Sequence, residues 1–217
     1  MIWWQVLIVI AVSYLCGNIS IARIISKKKN QDITKLGSGN PGMTNTLRNF
    51  GVKLAAINLL LDMLKAFAPA LISYYVFGED RVMLYIAGLS AMCGHIYPVF
   101  YKFKGGKGIS SMMGIFLASN PIATITIMLI GAVIWFIFEY GSVVSFLCIT
   151  TLTVVEGIRA KMSLPELDRK IICLMLFAIF IFTWYAHRKN IERLLLGKES
   201  KASIKKKVKK KLNQKAS

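Results

Sequence analysis

Apolar stretches separated by short polar segments run along almost the whole chain, and they predict helices that span a membrane. A spanning helix needs roughly 20 mostly apolar residues, and the period-two alternation typical of half-buried strands is absent from the sequence. Inside lipid only helices or closed barrels satisfy their backbone hydrogen bonds, so the pattern predicts an all-α polytopic membrane protein. The predicted spans are residues 2–25, 52–77, 82–101, 109–118, 122–138, 142–158 and 171–186.

The range 109–118 is the shortest of the seven, and the distribution of charge decides whether it counts as a span. Lysines and arginines cluster after the first range, after the third range and at the C-terminus. The positive-inside rule places such segments in the cytoplasm, so the N-terminus is predicted to lie outside. The segment after the third range and the C-terminus are then both cytoplasmic, so an even number of spans must lie between them. The number is even only if residues 109–118 are counted as a span. The basic loop 159–170 would lie outside, against the same rule.

Composition excludes an ordinary soluble domain and indicates where the positive charge acts. The chain has 217 residues, of which 55% are hydrophobic, and its mean hydropathy is +0.56. Much of the net charge of +18 lies in residues 200–217, a predicted basic cytoplasmic tail after one membrane domain of residues 1–199. Such a tail beside membrane spans is typical of contact with anionic lipid headgroups, at about 1 kcal/mol per lysine. We expect no nucleic acid partner. The cysteines have no CxxC spacing, and neither a metal site nor a cofactor is predicted.

Three polar islands interrupt the apolar pattern, and the first covers residues 32–51. Its Gly-x-Gly-x-x-Gly spacing matches a dinucleotide fingerprint, but a membrane span precedes it where a strand is required, and Pro41 falls inside it. A flexible connector does not need so many hydroxyls and amides. Glycines that let backbone N–H groups converge are typical of a cradle for phosphate or an oxyanion. The candidate residues are Gly37, Ser38, Gly39, Asn40, Thr44, Asn45 and Arg48.

The second island, residues 94–110, combines lysines with an unhindered backbone directly before a predicted helix start. It is not a Walker A loop, because Tyr101 stands where the leading glycine is required and Gly108 where serine or threonine should follow. A helix N-terminus is itself an anion site, so we predict anion binding. His95 has either a structural or a catalytic role. The candidates are His95, Lys104, Gly105, Gly106, Lys107 and Gly108.

The third island, residues 185–199, follows the last predicted span. His187 and Asn190 lie one helical turn apart and share a face, with Arg193 next along it. The H-x4-E spacing from His187 superficially resembles the H-x4-D motif of soluble-type acyltransferases, a weaker assignment because Glu is not Asp. Glu199 completes the candidate set. Within the second span, Asp62 and Lys65 are either a structural ion pair or part of the site, because charges inside a membrane are expensive.

Taken together, the islands resemble the bacterial membrane glycerol-3-phosphate acyltransferases that use acyl phosphate. Residues 37–45 with Arg48 match the family's GSGN-x-GATN motif, residues 94–108 match GHxxPxFxxFKGGKG, and residues 187–199 match HRxNIxRLxxGxE. The resemblance covers residues 8–199. Departures are Met43 for alanine, Ala66 for glycine, Glu139 for arginine, and "GNIS" for Gly-Ser-Ile-Pro near the end of the first span.

The resemblance implies an enzyme of the bacterial cell membrane that transfers an acyl group from acyl phosphate to the sn-1 hydroxyl of glycerol 3-phosphate. The products would be lysophosphatidic acid and phosphate. It implies catalytic roles for Ser38, Arg48, Lys107, His187 and Asn190. Ser38, Asn40, Thr44 and Asn45 would contact the acyl-phosphate head group. Phosphate charge would be held by Arg48, Lys104, Lys107 and the backbone of Gly105 and Gly106, while Glu199 would fix the third island. The general base is either His187 or a substrate phosphate.

Two alternatives remain from the sequence. An organic-phosphate transporter would also use basic glycine-rich loops, although transporter sites lie near the bilayer midplane in repeated halves, and this chain has no repeat. An acyltransferase using acyl-CoA or acyl carrier protein is the second alternative, which the lack of a soluble lobe disfavours.

Overall fold

The computed structural model describes residues 3–201, and this part of the chain folds into ten α-helices joined by short connections. Two single 3₁₀ turns, Ile33–Lys35 and Val99–Tyr101, lie in the first and second islands. Most of the predicted lipid-binding tail, residues 202–217, lies outside the described residues, so its role stays a prediction. The helices are α1 Trp3–Gly17, α2 Ile21–Lys27, α3 Met43–Phe50, α4 Val52–Val76, α5 Arg81–Ile96, α6 Ile109–Ser119, α7 Pro121–Phe138, α8 Gly141–Ser163, α9 Glu166–Ala186 and α10 Arg188–Leu195.

The all-α membrane architecture is confirmed. Within residues 3–201, six helical segments are long and apolar enough to cross a membrane, and each coincides with a predicted span. The seventh predicted span is the short apolar helix α6. The six long segments are Trp3–Lys27, Val52–Val76, Arg81–Tyr101, Pro121–Phe138, Gly141–Ser163 and Glu166–Ala186.

The first span is broken, although the sequence predicts one continuous helix over residues 2–25. α1 ends at Gly17 and α2 begins at Ile21. Backbone that leaves a helix at membrane depth needs other hydrogen-bond partners, and Lys65 of α4 supplies one by donating from Nζ to the Ile19 carbonyl at 2.7 Å. The same ammonium group lies 2.8 Å from Asp62. The buried ion pair therefore stabilises the break in the first span.

α6 has 11 residues and is about 16 Å long, roughly half of the 30 Å hydrocarbon core. Its apolar side chains are buried among neighbouring helices, with Met112, Ile115 and Phe116 fully buried. The seventh predicted span is therefore a half-length helix enclosed by protein. The turn at its end, Ser119 and Asn120, is enclosed as well rather than exposed to lipid.

A buried carboxylate binds that turn. Glu156 of α8 is 4% exposed, and it accepts hydrogen bonds from the hydroxyl of Tyr85 at 2.6 Å, from Ser119 Oγ at 2.6 Å and from Asn120 Nδ2 at 2.9 Å. Arg159 lies 3.3 Å from the same carboxylate and balances its charge. Because every polar group of the turn finds a partner, a helix that stops halfway is compatible with a membrane environment.

α4, α5 and α6 form the centre of the bundle, where small residues allow backbones to touch. A side chain at Gly94 of α5 would overlap the backbone of Tyr14, and one at Gly114 of α6 would overlap the backbone of Met63. Such close approach is the usual basis of helix association in membranes. α7 and α8 pack against each other beside this centre, and a cavity lies between the two groups of helices.

Candidate active site

All three islands meet at one end of that cavity. The inner cavity, as we name it, has a volume of about 250 Å³. A second space of about 770 Å³, the outer cavity, adjoins it and shares part of its wall. Predicted site residues that line the inner cavity are Ser38, Asn40, Thr44, Asn45, Arg48, His95, Lys107, Gly108, His187, Asn190, Arg193 and Glu199. Gly39, Lys104, Gly105 and Gly106 line the outer cavity instead.

Asn45 braces the loop of the first island. Its Nδ2 donates to the carbonyls of Ile33 at 3.2 Å and Leu36 at 2.9 Å, and its Oδ1 accepts from the Ser38 amide at 3.1 Å. Gly37 has φ +53°, and a side chain there would come within 2.5 Å of Asn45 Oδ1. The amide of Asn45 is thus occupied by protein groups. Its role in the site is to hold Ser38 in place, which differs from the head-group contact expected from the sequence.

Two glycines of the second island form hydrogen bonds within the loop through their backbone amides. The Gly105 amide donates to the Ile96 carbonyl at 3.1 Å and the Gly106 amide to the His95 carbonyl at 3.0 Å. Both amides are paired with protein carbonyls, so an interaction of this backbone with phosphate stays a prediction. Glycine is needed for another reason, since a side chain at Gly106 would overlap the His95 imidazole. The loop packs directly on the end of α5 and so presents Lys107 to both cavities.

The third island is connected to the second island and to α8 through Glu199. Glu199 accepts from Asn190 Nδ2 at 2.7 Å, from Arg193 Nε at 2.7 Å and from Ser142 Oγ at 2.9 Å. Burial raises the pKa of Glu199, but these hydrogen bonds outweigh it and hold the pKa below its usual value. Lys107 in turn donates from Nζ to Asn190 Oδ1. This geometry supports the structural role expected for Glu199.

His187 follows α9 directly and is 3% exposed. Its Nδ1 lies 2.8 Å from the Thr183 carbonyl, which can only accept, so Nδ1 carries the proton and Nε2 is an acceptor. Burial, together with the charge of Lys107, lowers the pKa of His187 to about 4. The imidazole is therefore neutral at physiological pH and suited to accept a hydrogen bond from a substrate hydroxyl.

Three helix N-termini point to the inner cavity. The first residues of α3, α6 and α8 line it, and no side chain caps any of the three helices. Uncapped N–H groups and the positive end of the helix dipole favour anions. Arg48, Lys107 and Arg193 add cationic charge, which Glu199 offsets in part. This end of the cavity therefore favours anionic groups such as phosphate.

The other end of the inner cavity is apolar, and the sequence motifs do not mark it. One of its residues, Ala132 of α7, is exposed. Met43, the departure noted above, packs against the buried pair Leu47 and Ala55 and also lines the inner cavity. The apolar lining consists of Leu59, Met113, Met128, Gly131, Ala132, Trp135, Val144 and Cys148.

Comparison with known proteins agrees with this geometry. The family model described as glycerol-3-phosphate acyltransferase matches residues 7–197. The chain belongs to the glycerol-3-phosphate acyltransferase family. The enzyme of Aquifex aeolicus (strain VF5) is 36% identical over 196 residues, which cover 90% of this chain and 98% of that relative. The enzyme of Thermoanaerobacter sp. (strain X514) is 38% identical and covers 91% of this chain and 96% of its own length.

The fold comparison leads to the same family. A crystal structure of PlsY (YgiH), an integral membrane glycerol 3-phosphate acyltransferase in its glycerol 3-phosphate form, superposes with a TM-score of 0.82 at 34% identity. The match covers 91% of this chain and 95% of that one. A second structure, in the lysophosphatidic acid form, gives a TM-score of 0.80. This glycerol-3-phosphate acyltransferase is therefore a multi-pass membrane enzyme, and the transporter alternative is excluded.

The lowered pKa of Lys107 predicts a loss of activity at alkaline pH. Burial and the neighbouring Arg193 lower the pKa of Lys107 to about 8, so its positive charge is present below that pH and is lost as the pH rises through it. We expect kcat/KM, which reports ionisations of the free enzyme, to fall above about pH 8. Lys107→Arg, whose guanidinium stays charged, should remove this decline. An unchanged decline in that variant would assign it to another group.

Proposed function

We propose that acyl phosphate is the acyl donor and that the products are lysophosphatidic acid and inorganic phosphate. The observation that carries the proposal is that one cavity joins an end that favours anions to an apolar wall that includes the exposed residue Ala132. Acyl phosphate has the same two parts, a dianionic head and a lipid chain. The phosphate of the donor fits the uncapped N-termini of α3, α6 and α8, with Lys107 beside it.

The apolar wall supports the same donor. α7 ends and α8 begins at the polar end of the cavity, and both helices run away from it, with Gly131 and Cys148 in the apolar lining. Gly131 lies seven positions before Phe138, the last residue of α7, which corresponds to about 10 Å along the helix. The first part of an acyl chain lies along this wall, and the remainder reaches lipid past Ala132.

Glycerol 3-phosphate enters through the outer cavity. Basic side chains line this space, and no acidic residue does within the described part of the chain. The positive charge of the outer cavity attracts a small dianion from water and raises its association rate. Ser38, Asn40, Lys107, Asn190 and Arg193 belong to both cavities, so an acceptor bound against this shared wall meets the donor there. The basic residues of the outer cavity are Arg23, Lys102, Lys104, Lys107, Arg188, Lys189 and Arg193.

In the reaction, the sn-1 hydroxyl oxygen of glycerol 3-phosphate attacks the acyl carbonyl carbon, and the bond from that carbon to the phosphate oxygen breaks. The phosphate leaves with the bonding electrons. His187 Nε2 accepts the hydroxyl hydrogen bond and orients the attack. The proton passes to a phosphate oxygen, because a phosphate with a pKa near 6 is a stronger base than His187 with a pKa of about 4. Positioning and charge stabilisation supply the rate enhancement.

We place the three islands on the cytoplasmic side, with the N-terminus outside. The basic loop 159–170, which opposed this orientation in the sequence, is largely helical and partly neutralised. Arg159 lies 3.3 Å from Glu156, and Lys170 forms an ion pair of 2.6 Å with Glu166. Fewer free cations therefore remain on the outer side than the sequence alone indicates.

Phosphate release by the purified enzyme in detergent tests the donor. Palmitoyl phosphate is supplied with and without glycerol 3-phosphate, and palmitoyl-CoA serves as the rival donor. We expect phosphate release that depends on glycerol 3-phosphate, with lysophosphatidic acid formed in equal amount. Turnover with palmitoyl-CoA alone would leave an acyltransferase and overturn the donor assignment. Phosphate release that does not need glycerol 3-phosphate would overturn the proposed acceptor step.

A further inference from the structure

Trp135 has a buried hydrogen-bond donor that the structure leaves without a partner. Its Nε1 is inaccessible to solvent, and no acceptor within the described residues lies in hydrogen-bonding range. An indole N–H can only donate, and leaving it unpaired in a buried position costs free energy. Trp135 also lines the inner cavity. A ligand that brings an oxygen to this cavity would satisfy the donor.

Trp135 Nε1, Thr44 Oγ1 and the backbone of Gly141 lie close together in the wall of the inner cavity. A point beside the Cα of Gly141, where a side chain would start, is 3.5 Å from Trp135 Nε1 and 3.4 Å from Thr44 Oγ1. Gly141 is the first residue of α8, whose uncapped N–H groups face the same region. The two polar atoms come from α7 and α3, and the absence of a side chain at Gly141 leaves only backbone beside them.

This space lies where the cavity changes from polar to apolar. Gly131 and Ala132 are four and three residues before Trp135 on α7, so they share its face and form the start of the apolar wall. Ser142 and Thr44 lie on the polar side. In an acyl donor the carbonyl oxygen lies at the junction of the head group and the chain, and in acyl phosphate the other oxygen at this junction leaves with the phosphate. Negative charge develops on the carbonyl oxygen during attack, and a preorganised donor there accelerates acyl transfer.

We propose that Trp135 is a substrate-positioning residue whose indole N–H donates to the acyl carbonyl oxygen in the space between Thr44 and Gly141. The identity of the donor rests on the proposed function, but the contact itself does not, because acyl phosphate and acyl-CoA carry the same carbonyl. The ring of Trp135 packs against the buried pair Leu47 and Ala55, which restricts its movement. The assignment explains why a buried donor without a partner is retained at this position.

The first test compares Trp135→Phe with Trp184→Phe. Phenylalanine keeps an aromatic ring at either position and removes the donor together with part of the indole, so the second variant controls for the lost volume. Trp184 is a matched control, because its Nε1 is also buried and unpaired within the described chain, yet it lines neither cavity. We expect Trp135→Phe to lower kcat by about 10-fold to 100-fold with little change in the KM for glycerol 3-phosphate. Trp184→Phe should leave kcat close to the parent value.

The second test separates a carbonyl contact from a packing role. Two inhibitors are compared, a long-chain acyl phosphonate that carries the carbonyl and hexadecyl phosphate, which lacks it. The parent enzyme should bind the phosphonate more tightly, by about 10-fold, and Trp135→Phe should abolish that preference while Trp184→Phe keeps it. A preference that survives in Trp135→Phe would overturn the proposal, since a purely structural effect would weaken both inhibitors equally.

Gly141→Ala provides a third measurement that does not alter Trp135. The added methyl group would sit at ordinary contact distances from Thr44 and Trp135, so folding should be preserved while the space is filled. We expect loss of the carbonyl preference here as well, and its persistence would contradict the assigned position. If the parent enzyme uses only palmitoyl-CoA, the donor assignment fails. The kcat comparison of the two tryptophan variants is then made with that donor and decides the Trp135 contact by the same criteria.

Discussion

Lys107→Ala is expected to lower kcat/KM by about 10²-fold to 10³-fold, the usual effect of removing one group that stabilises charge in an acyl-transfer transition state. Lys107 lines both cavities, so its ammonium group lies where the donor phosphate and the acceptor meet. It also donates to Asn190, which links the second island to the third. Phosphate release at several concentrations of each substrate measures the loss.

Lys104→Ala is the matched control, since the sequence alone gives Lys104 and Lys107 similar weight. The side chain of Lys104 is exposed and lines only the outer cavity. We expect at most a few-fold rise in the KM for glycerol 3-phosphate, which high salt should mask because exposed charges are screened. Equal losses in the two alanine variants, both folded, would contradict the division into an inner and an outer cavity.

Most of the architecture was predictable because a helix that spans a membrane requires a long apolar segment, which is recognisable in the sequence. Long apolar ranges and the clustering of basic residues are sufficient to predict the spans and to bring the three islands to one face. The break of the first span was missed, and the short α6 was predicted without the groups that stabilise its end. Lys65 at the break and Glu156 at the end of α6, distant in sequence from both, satisfy the freed polar groups. Local hydrophobicity carries no information about such partners.

The residues of the site were predictable as a group, but not the atoms that remain available for a ligand. Asn45, Gly105 and Gly106 have amide groups suited to anions, and the fold uses all three for its own hydrogen bonds. Trp135 and Gly141 lie at the ends of apolar helices, where nothing in the local pattern distinguishes them from packing residues. Only the approach of α7 and α8 to α3 brings them to the cavity, and that approach depends on the whole bundle.

Gly106→Ala is expected to destabilise the enzyme and to reduce its activity about 100-fold or more. The new methyl group would overlap the imidazole of His95, which is buried and lies 3.7 Å from Asp62, so the ring has little room to move. Overpacking of this kind costs about 1–3 kcal/mol. Lys107 follows Gly106 directly, and a displacement near 1 Å at a catalytic group costs about 10²-fold in rate.

Thermal unfolding in detergent and phosphate release together test this prediction, with Gly157→Ala as the matched control. A methyl group at Gly157 of α8 meets no atom within 4 Å, and alanine in a helix is favoured over glycine by about 0.5–1 kcal/mol. The control should therefore unfold at the same or a higher temperature. Combining Gly106→Ala with His95→Ala removes the atoms that the methyl group would meet, so the double variant should regain stability relative to Gly106→Ala. If it does not, the loop requires glycine for a reason other than contact with His95.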